Sequence, residues 1–336
     1  MINNWQFDAW ATLPKRAGEL PHALLMSGRP GLGKSLLADS FAQSLLCESP
    51  DKQGLPCETC QACNWFTLGN HPDFRRLQPE SMAPEAEGEA PAKKEKKKSE
   101  QIKIEQVRAT EGFLAIGTHR GGARVILIDP ADAMNAAAQS ALLKNLEEPP
   151  PGTHYILVTS RPQRLLPTIR SRCRVAPIAA PEAKMAIKWL KDNGIDNPEL
   201  ALAAAAGAPL AALAAAEHEP RRREFLNRLA DPSYDPLALA QSCDNFEAAM
   251  VVGWLQRWVY DLLSTRTVGR ARYNLEAQAA LEKICRPLDP AALAGLMRRL
   301  GEALALSQHP LNTRLFFEDL LLQYRAVTGS PVRRAA

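Results

Sequence analysis

Residues 28–35 read Gly-Arg-Pro-Gly-Leu-Gly-Lys-Ser, which fits the phosphate-binding pattern GxxxxGK[S/T] at every fixed position. An apolar run at 22–26 precedes this stretch, and a helical pattern at 35–46 follows it. In such a loop the backbone N–H groups turn towards phosphate oxygens, and the N-terminus of the next helix adds a positive dipole end. The sequence therefore predicts a strand, a P-loop and a helix, which together open an α/β fold.

The residues of the loop have separate predicted roles. Gly28, Gly31 and Gly33 allow the tight turn around phosphate. Lys34 supplies a mobile positive charge, and Ser35 supplies a ligand for magnesium. We expect ATP with Mg²⁺ to be the ligand of this loop.

A second acid for the magnesium shell is predicted at Asp129, directly after the apolar run 124–128. Pro130 follows Asp129, at a position where P-loop enzymes that hydrolyse nucleotide commonly carry a glutamate that polarises the attacking water. Proline has no side-chain base, so we expect ATP to bind with poor hydrolysis. Asp132 is the alternative base, but we expect it instead to cap a helix that begins at 131.

Alternating apolar runs and helical patterns fill the first half of the chain, as is typical of a parallel sheet. Several of the runs are almost entirely apolar, as expected for strands that helices cover on both faces. We predict a parallel five-stranded sheet with helices on both faces. Its strands are at 22–26, 74–77, 124–128, 155–159 and 173–178, and its helices include 35–46, 104–116 and 131–146.

Four of the seven cysteines lie close together in the segment 47–63. Cys47, Cys57, Cys60 and Cys63 supply enough thiolates for a closed tetrahedral Zn²⁺ site. Such a site leaves no open position for water, so the predicted zinc is structural. His71 is the alternative fourth ligand, and Cys47 is favoured over it. The other three cysteines are scattered and are predicted to be buried apolar side chains: Cys173, Cys243 and Cys285.

Charge and composition limit the remaining classes. The chain has 336 residues and a net charge of +4, which is too small to indicate nucleic-acid binding by itself. Residues 81–100 hold an acidic part and then a lysine-rich part, which predicts a disordered, solvated insertion. No signal peptide or membrane-spanning run is recognised, so a soluble cytoplasmic protein is expected.

Beyond residue 178 the strand patterns stop and helical patterns continue to the end of the chain. We predict domain boundaries at 1–178 for the α/β core with its zinc module, 179–230 for a small helical domain, and 231–336 for an all-α domain. Apolar residues at helical spacing in the last domain are explained by core packing. Assembly is its predicted role.

The order of these motifs resembles that of bacterial DNA polymerase III clamp loaders, which belong to the AAA+ family. The resemblance rests on residues 28–35, the four-cysteine module, Leu-Leu-Lys-Asn-Leu-Glu-Glu-Pro-Pro at 142–150, and Ser-Arg-Cys at 171–173. Asp-Pro-Ala-Asp-Ala-Met at 129–134, and His-Pro-Asp at 71–73, make the chain similar to the non-motor subunits of that family.

The resemblance implies an AAA+ core, a helical lid and a C-terminal collar. It also implies a heteropentameric ring with gamma/tau motor subunits and delta, which loads the sliding clamp onto primer–template DNA in replication. Arg172 then acts as an arginine finger for the ATP site of a neighbouring subunit. Chemistry alone also allows an ordinary surface salt bridge at Arg172. The chain itself is expected to be neither a polymerase nor an efficient ATPase.

Two alternatives differ in class. An active motor subunit would share the zinc module and Ser-Arg-Cys, but Pro130 argues against it. So does the lid segment 206–210, Ala-Gly-Ala-Pro-Leu, which lacks a phosphate-sensing arginine. A zinc-dependent DNA-binding protein is disfavoured, because the cysteine insertion carries no helix with base-reading side chains. We expect a monomer in isolation, whereas the alternatives predict self-assembly or retention on DNA.

Overall fold

The computed structural model describes residues 2–14, 20–83, 98–119, 122–307 and 311–329. Most of the predicted insertion at 81–100 lies outside these residues. Contacts divide the chain into two compact units, Met1–Glu182 and Ala183–Ala336. The finer division into core, lid and collar stays a prediction.

A parallel sheet forms the centre of the first unit. Its strands are β1 (Ala23–Ser27), β2 (Phe74–Leu77), β3 (Arg124–Ile128), β4 (Thr153–Thr159) and β5 (Arg174–Pro177). Their order is β2-β3-β4-β1-β5, and every pairing is parallel. The predicted five-stranded parallel sheet is confirmed, and each strand lies within two residues of its predicted position.

Helices cover the sheet on both faces, as the apolar strands predicted. They are α1 (Phe7–Thr12), α2 (Lys34–Leu46), α3 (Gln61–Thr67), α4 (Ile104–Ala115), α5 (Ala136–Glu147) and α6 (Pro167–Arg172). One core cluster joins alternate strand residues such as Leu25 and Ile126 to Val107 of α4 and Leu142 of α5. Successive strand residues point to opposite faces of the sheet, so the remaining strand residues point to the opposite face. Helix α2 contacts β3 and β4.

The helix predicted at 131–146 begins later than predicted. Residues Ala131–Ala133 form a separate 3₁₀ turn, and α5 starts at Ala136. Asn135 is its N-cap, and the Asn135 side chain accepts a hydrogen bond from the Ala138 N–H at 2.8 Å. The prediction that Asp132 caps this helix is therefore wrong.

The described part of the second unit contains helices and no strand. These are α7 (Ala183–Asp192), α8 (Pro198–Ala204), α9 (Pro209–Ala215), α10 (Glu219–Ala230), α11 (Pro236–Gln241), α12 (Ala248–Val268), α13 (Gln278–Cys285), α14 (Pro290–Leu306) and α15 (Thr313–Thr328). A small apolar cluster joins α7, α8 and α9. A larger one contains Trp254, Trp258 and Leu262 of α12, which confirms that these residues serve core packing.

Among the described residues, no single helix is long and apolar enough to cross a bilayer. One bent pair of helical segments, Pro198–Ala204 with Pro209–Ala230, reaches the length and composition of a span, and these two properties alone indicate one.

Gly28 provides a test of how tightly the P-loop packs against the sheet edge. A Cβ at this position would lie 2.5 Å from the Ile178 carbonyl oxygen, which is too close for any real contact. We expect Gly28→Ala to lower the free energy of unfolding of the first unit by about 1–3 kcal/mol. The measurement is the urea midpoint followed by far-UV circular dichroism.

Gly112 in α4 is the matched control. No heavy atom lies within 4 Å of a Cβ built there. Since alanine is the better helix former, Gly112→Ala should stabilise the unit by about 0.5–1 kcal/mol. Equal shifts of the same sign in both variants would contradict this account of Gly28.

Candidate nucleotide and zinc sites

The loop between β1 and α2 depends on glycine at two positions. Gly31 has φ 75° and Gly33 has φ 80°, both in the left-handed region. Gly33 is the N-cap of α2, so Lys34 is the first residue of the helix. Side chains with a Cβ rarely adopt this backbone, and this explains the glycines that the motif requires.

Lys34 is buried at the start of α2, with 6% of its surface exposed. Its Nζ donates to the Arg29 carbonyl oxygen at 2.7 Å and to Ser160 Oγ at 2.9 Å. Burial lowers the pKa of Lys34, whereas the carboxylates of Asp129 and Asp132 raise it. The ammonium group is therefore held inside the loop among polar partners.

Asp129 follows β3 and is also buried. Burial raises the pKa of its carboxyl group, while a hydrogen bond with Ser35 and the charge of Arg76 lower it. The structure thus brings together the two residues that the sequence predicted as magnesium ligands. Arg76 forms an ion pair with Asp39 of α2.

Strand order explains why these residues meet. β4 lies between β1 and β3, and Ser27 is in register with Thr159. The carboxyl ends of all three strands therefore reach one edge of the sheet, where ligands bind in open α/β folds. The P-loop, Asp129 and Ser160 follow β1, β3 and β4 respectively at this edge.

Asp132 links β4 to the segment that follows β3. Its Oδ1 accepts from Thr159 Oγ1 at 2.7 Å and from the Ser160 N–H at 3.3 Å. Its Oδ2 forms an ion pair with Arg161 Nε at 3.0 Å. This carboxylate fixes the end of β4 and so helps to place Ser160 beside Lys34.

Sequence reasoning missed three contributors to this edge: Arg76, Ser160 and Arg161. Ser160 and Arg161 directly follow Thr159, the polar last residue of β4. A polar run at the end of a predicted strand was the sequence signal that could have indicated them. Arg76 lies within a short strand, where a charged residue needs a partner.

The N-terminal segment supports the P-loop and the cysteine module from outside the sheet. Gln6 is almost fully buried, and its Nε2 donates to the Gly33 carbonyl oxygen at 2.7 Å. Trp5 Nε1 donates to the Leu32 carbonyl oxygen at 3.3 Å. Trp10 Nε1 donates to the Gln53 carbonyl oxygen at 3.0 Å, within the loop that carries the cysteines. No sequence motif marked these contacts.

The four predicted zinc ligands lie together. The Sγ atoms of Cys47, Cys57, Cys60 and Cys63 are all within 4.8 Å of one another. Two Sγ pairs are measured, Cys47–Cys60 at 3.9 Å and Cys57–Cys63 at 4.0 Å. With Zn–S bonds of about 2.3 Å, tetrahedral geometry requires Sγ–Sγ distances of about 3.8 Å. The donor set therefore fits a closed Zn²⁺ site.

Backbone N–H groups point at the thiols of this module. The Cys57 N–H lies 3.3 Å from Cys47 Sγ, and the Cys60 N–H lies 3.3 Å from Cys57 Sγ. Hydrogen bonds from Thr59 and Cys60 lower the pKa of the Cys57 thiol to about 6. Burial raises the pKa of Cys63, so a bound cation is needed to keep all four sulfurs as thiolates.

His71 occupies a different position from the one that a fourth ligand requires. Its Nδ1 accepts from the Asp73 N–H at 3.1 Å, and its ring packs edge-on against Trp65 at 6.1 Å. Among the described residues the metal-ligand group contains Cys47 and not His71. The three remaining cysteines are buried, as predicted: Cys173, Cys243 and Cys285.

Arg172 is the last residue of α6, and its side chain is partly exposed. Its Nη2 lies 2.7 Å from Glu147 Oε1, and its Nη1 donates to the Thr168 carbonyl oxygen at 3.0 Å. These contacts hold the guanidinium between α5 and α6, outside the P-loop of its own chain.

Comparison with known proteins gives the family. A family model described as "DNA polymerase III, delta subunit" matches residues 9–182, and "DNA polymerase III, delta subunit, C terminal" matches 217–326. The delta-prime subunit of Pseudomonas aeruginosa DNA polymerase III is 32% identical over 98% of both chains. The chain belongs to the DNA polymerase III delta-prime family.

Two further relatives bear on its place among clamp-loader proteins. The Escherichia coli delta-prime subunit is 31% identical, and the match covers 92% of this chain and 90% of that subunit. The tau subunit of Salmonella typhimurium is 29% identical over 94% of this chain, but the match spans only 49% of tau. The resemblance to subunits of the DNA polymerase III clamp loader that the motifs indicated is confirmed, because relatives named delta-prime match most of the chain.

We predict that the purified chain carries one zinc ion per polypeptide, measured by inductively coupled plasma mass spectrometry. Cys60→Ser should lose most of the metal and lower the thermal midpoint, because a three-thiolate set binds zinc more weakly.

The control is Cys243→Ser, since Cys243 lies in the helical core of the second unit. It should retain full zinc even if the fold is weakened. Full zinc in Cys60→Ser would remove Cys60 from the ligand set.

Proposed function

We propose that the chain serves as the non-motor subunit of a DNA polymerase III clamp loader and helps to place the sliding clamp on primer–template DNA. Family membership supports a role as a clamp-loader subunit. One observation carries the non-motor assignment. The phosphate-binding loop has Lys34, Ser35 and Asp129 in place, but Pro130 follows Asp129 where a water-polarising acid is needed for hydrolysis.

ATP binding is part of this proposal. Gly31 and Gly33 hold the loop backbone open, while Lys34, Ser35 and Asp129 supply the charge and the oxygen ligands for phosphate and Mg²⁺. Lys34 Nζ is occupied by Arg29 and Ser160, so nucleotide binding has to exchange at least one of these hydrogen bonds.

Poor hydrolysis follows from the acids that are present. Pro130 offers no base. Asp132 is nearby, but its oxygens already accept from Thr159 and pair with Arg161, so it is not available to activate water. The lid segment also lacks an arginine: Ala206 and Gly207, with φ of 58° and 83°, form the turn between α8 and α9.

Arg172 is the proposed contribution of this chain to catalysis. A guanidinium at the end of α6 can reach a neighbouring subunit's nucleotide and stabilise charge on its γ-phosphate. In the single chain the group is paired with Glu147. An exposed pair of this kind contributes only about 0.2–1 kcal/mol, so it can be exchanged for phosphate contacts on assembly.

The proposed partners are the gamma/tau motor subunits and delta, in a heteropentameric ring that acts in the cytoplasm. The helical second unit supplies surface for assembly, and the zinc module has a structural role. The second candidate is an active motor subunit, which the 29% identity to tau favours. Reconstituted clamp loading with and without this chain, scored on primed DNA, is the decisive test of the proposed role.

The isolated chain should bind a fluorescent ATP analogue and turn ATP over far more slowly than a motor subunit does. Lys34→Ala should weaken analogue binding by about tenfold or more, since it removes a charge that contacts phosphate. Equilibrium titration and a steady-state phosphate-release assay provide the two measurements.

Lys144→Ala is the control, because Lys144 is another lysine of the first unit and is exposed in the last turn of α5. Its affinity for the analogue should equal that of the wild type. A turnover rate equal to that of a motor subunit would instead support the second candidate.

In the reconstituted complex, Arg172→Ala should remove the contribution of one ATP site to DNA-stimulated hydrolysis while leaving assembly intact. The fall at that single site should be at least about 10³-fold, measured with the other sites inactivated. Arg170→Ala is the matched control: Arg170 lies two residues earlier in α6 and is exposed, and this variant should retain the wild-type rate.

Glu147→Gln tests whether the ion pair with Glu147 only holds Arg172 in the free chain or also positions it for catalysis in the complex. If Glu147 only stores Arg172, the rate should stay the same or rise by up to about fivefold, because only a weak exposed ion pair is lost. A fall as deep as that of Arg172→Ala would contradict the storage role.

A further inference from the structure

A cavity of about 430 Å³ lies in the second unit among α8, α9, α10 and α12. Its apolar side is formed by Leu200, by alanines of α8 and α9, and by Trp254 of α12. Pockets that hold small ligands have similar volumes and a similar mixture of an apolar wall and few polar groups. None of the predicted nucleotide or zinc residues lines it.

Three arginines line the polar side of this cavity: Arg222, Arg223 and Arg257. Two of them have carboxylate partners. Arg222 Nη1 lies 2.9 Å from Glu219 Oε2 and 3.5 Å from Glu276 Oε1, and Arg223 Nη2 lies 3.6 Å from Glu219 Oε1. Arg222 also donates to the Asn274 side chain.

Arg257 differs from the other two. It is half-buried in α12, and no hydrogen bond or ion pair joins its side chain to another residue within the described ranges. Burial and the neighbouring charge of Arg222 lower the pKa of Arg257. A cation withdrawn from water beside another cation is costly unless an anion compensates it.

The remaining charge limits the ligand. Glu219 and Asp196 also line the cavity, so a dianion such as phosphate would meet two carboxylates. One guanidinium is left without a counter-ion, and its planar fork matches a single carboxylate in bidentate geometry. The alanine wall and the Trp254 ring suit an apolar body attached to that carboxylate.

We propose that this cavity is a binding site for a monocarboxylate with an apolar body, with Arg257 as the group that recognises the carboxylate. The apolar part lies against Trp254 and the alanines of α8 and α9. The proposal is independent of the P-loop, of zinc and of the clamp-loader role.

Fluorine NMR titration of the full-length chain tests this site with para-trifluoromethylphenylacetate as the probe. The uncharged para-trifluoromethylphenylacetamide has the same apolar body and should bind at least about tenfold more weakly, because charge-assisted hydrogen bonds are lost. Arg257→Gln should weaken the acid by a similar factor and leave the amide unchanged.

Arg228→Gln is the control for the loss of an arginine. Arg228 is exposed on α10 and pairs with Glu224 at 2.7 Å, and neither residue lines the cavity. It should bind the acid as the wild type does. Circular dichroism melting checks that each variant is folded.

Ala211→Leu provides a second, independent variant that keeps every charge. Ala211 lines the cavity and is half-buried, so the larger side chain should weaken both the acid and the amide by filling space. Equal affinity of acid and amide for the wild type, or an unchanged acid affinity in Arg257→Gln, would overturn the proposal.

Discussion

Buried charge at the carboxyl edge of the sheet is the constraint on which the first unit depends. Lys34, Asp129 and Asp132 lie within one small region, each with less than a tenth of its surface exposed. Charged groups are tolerated there only when each has partners. Ser160, Ser35 and Arg161 meet this need, and they can do so because β4 runs between β1 and β3.

The same arrangement bears on the proposal that this phosphate-binding loop binds ATP with poor hydrolysis. Asp132 is the alternative candidate for a catalytic base, but its carboxylate is bonded to Thr159 and Arg161 at the end of β4. Gln6 and Trp10 then connect the N-terminal segment to the P-loop and to the loop that carries the cysteines. One short segment therefore contacts both the phosphate-binding loop and the loop that carries the cysteines.

Local sequence patterns predicted the elements well and their ends less well. The strands were found within two residues because continuous apolar runs bounded by polar residues are a strong signal. The helix after Asp129 was placed five residues too early, because Asp132 and Asn135 are both good caps and the sequence alone does not rank them. In the structure Asp132 bonds to Thr159, 27 positions away in the chain, and Asn135 is the residue that caps α5.

Sequence by itself determined the parallel α/β core, the glycines and lysine of the P-loop, and the four cysteines, because each of these depends on residue type at short spacing. Tertiary structure alone decided that Asp129 pairs with Ser35 whereas Asp132 pairs with Thr159 and Arg161. It also decided that Arg172 pairs with Glu147 and that Arg257 lines a cavity without a described partner. The reason is physical: a side chain's charge partners are set by strand order and helix packing, which bring together residues far apart in the chain.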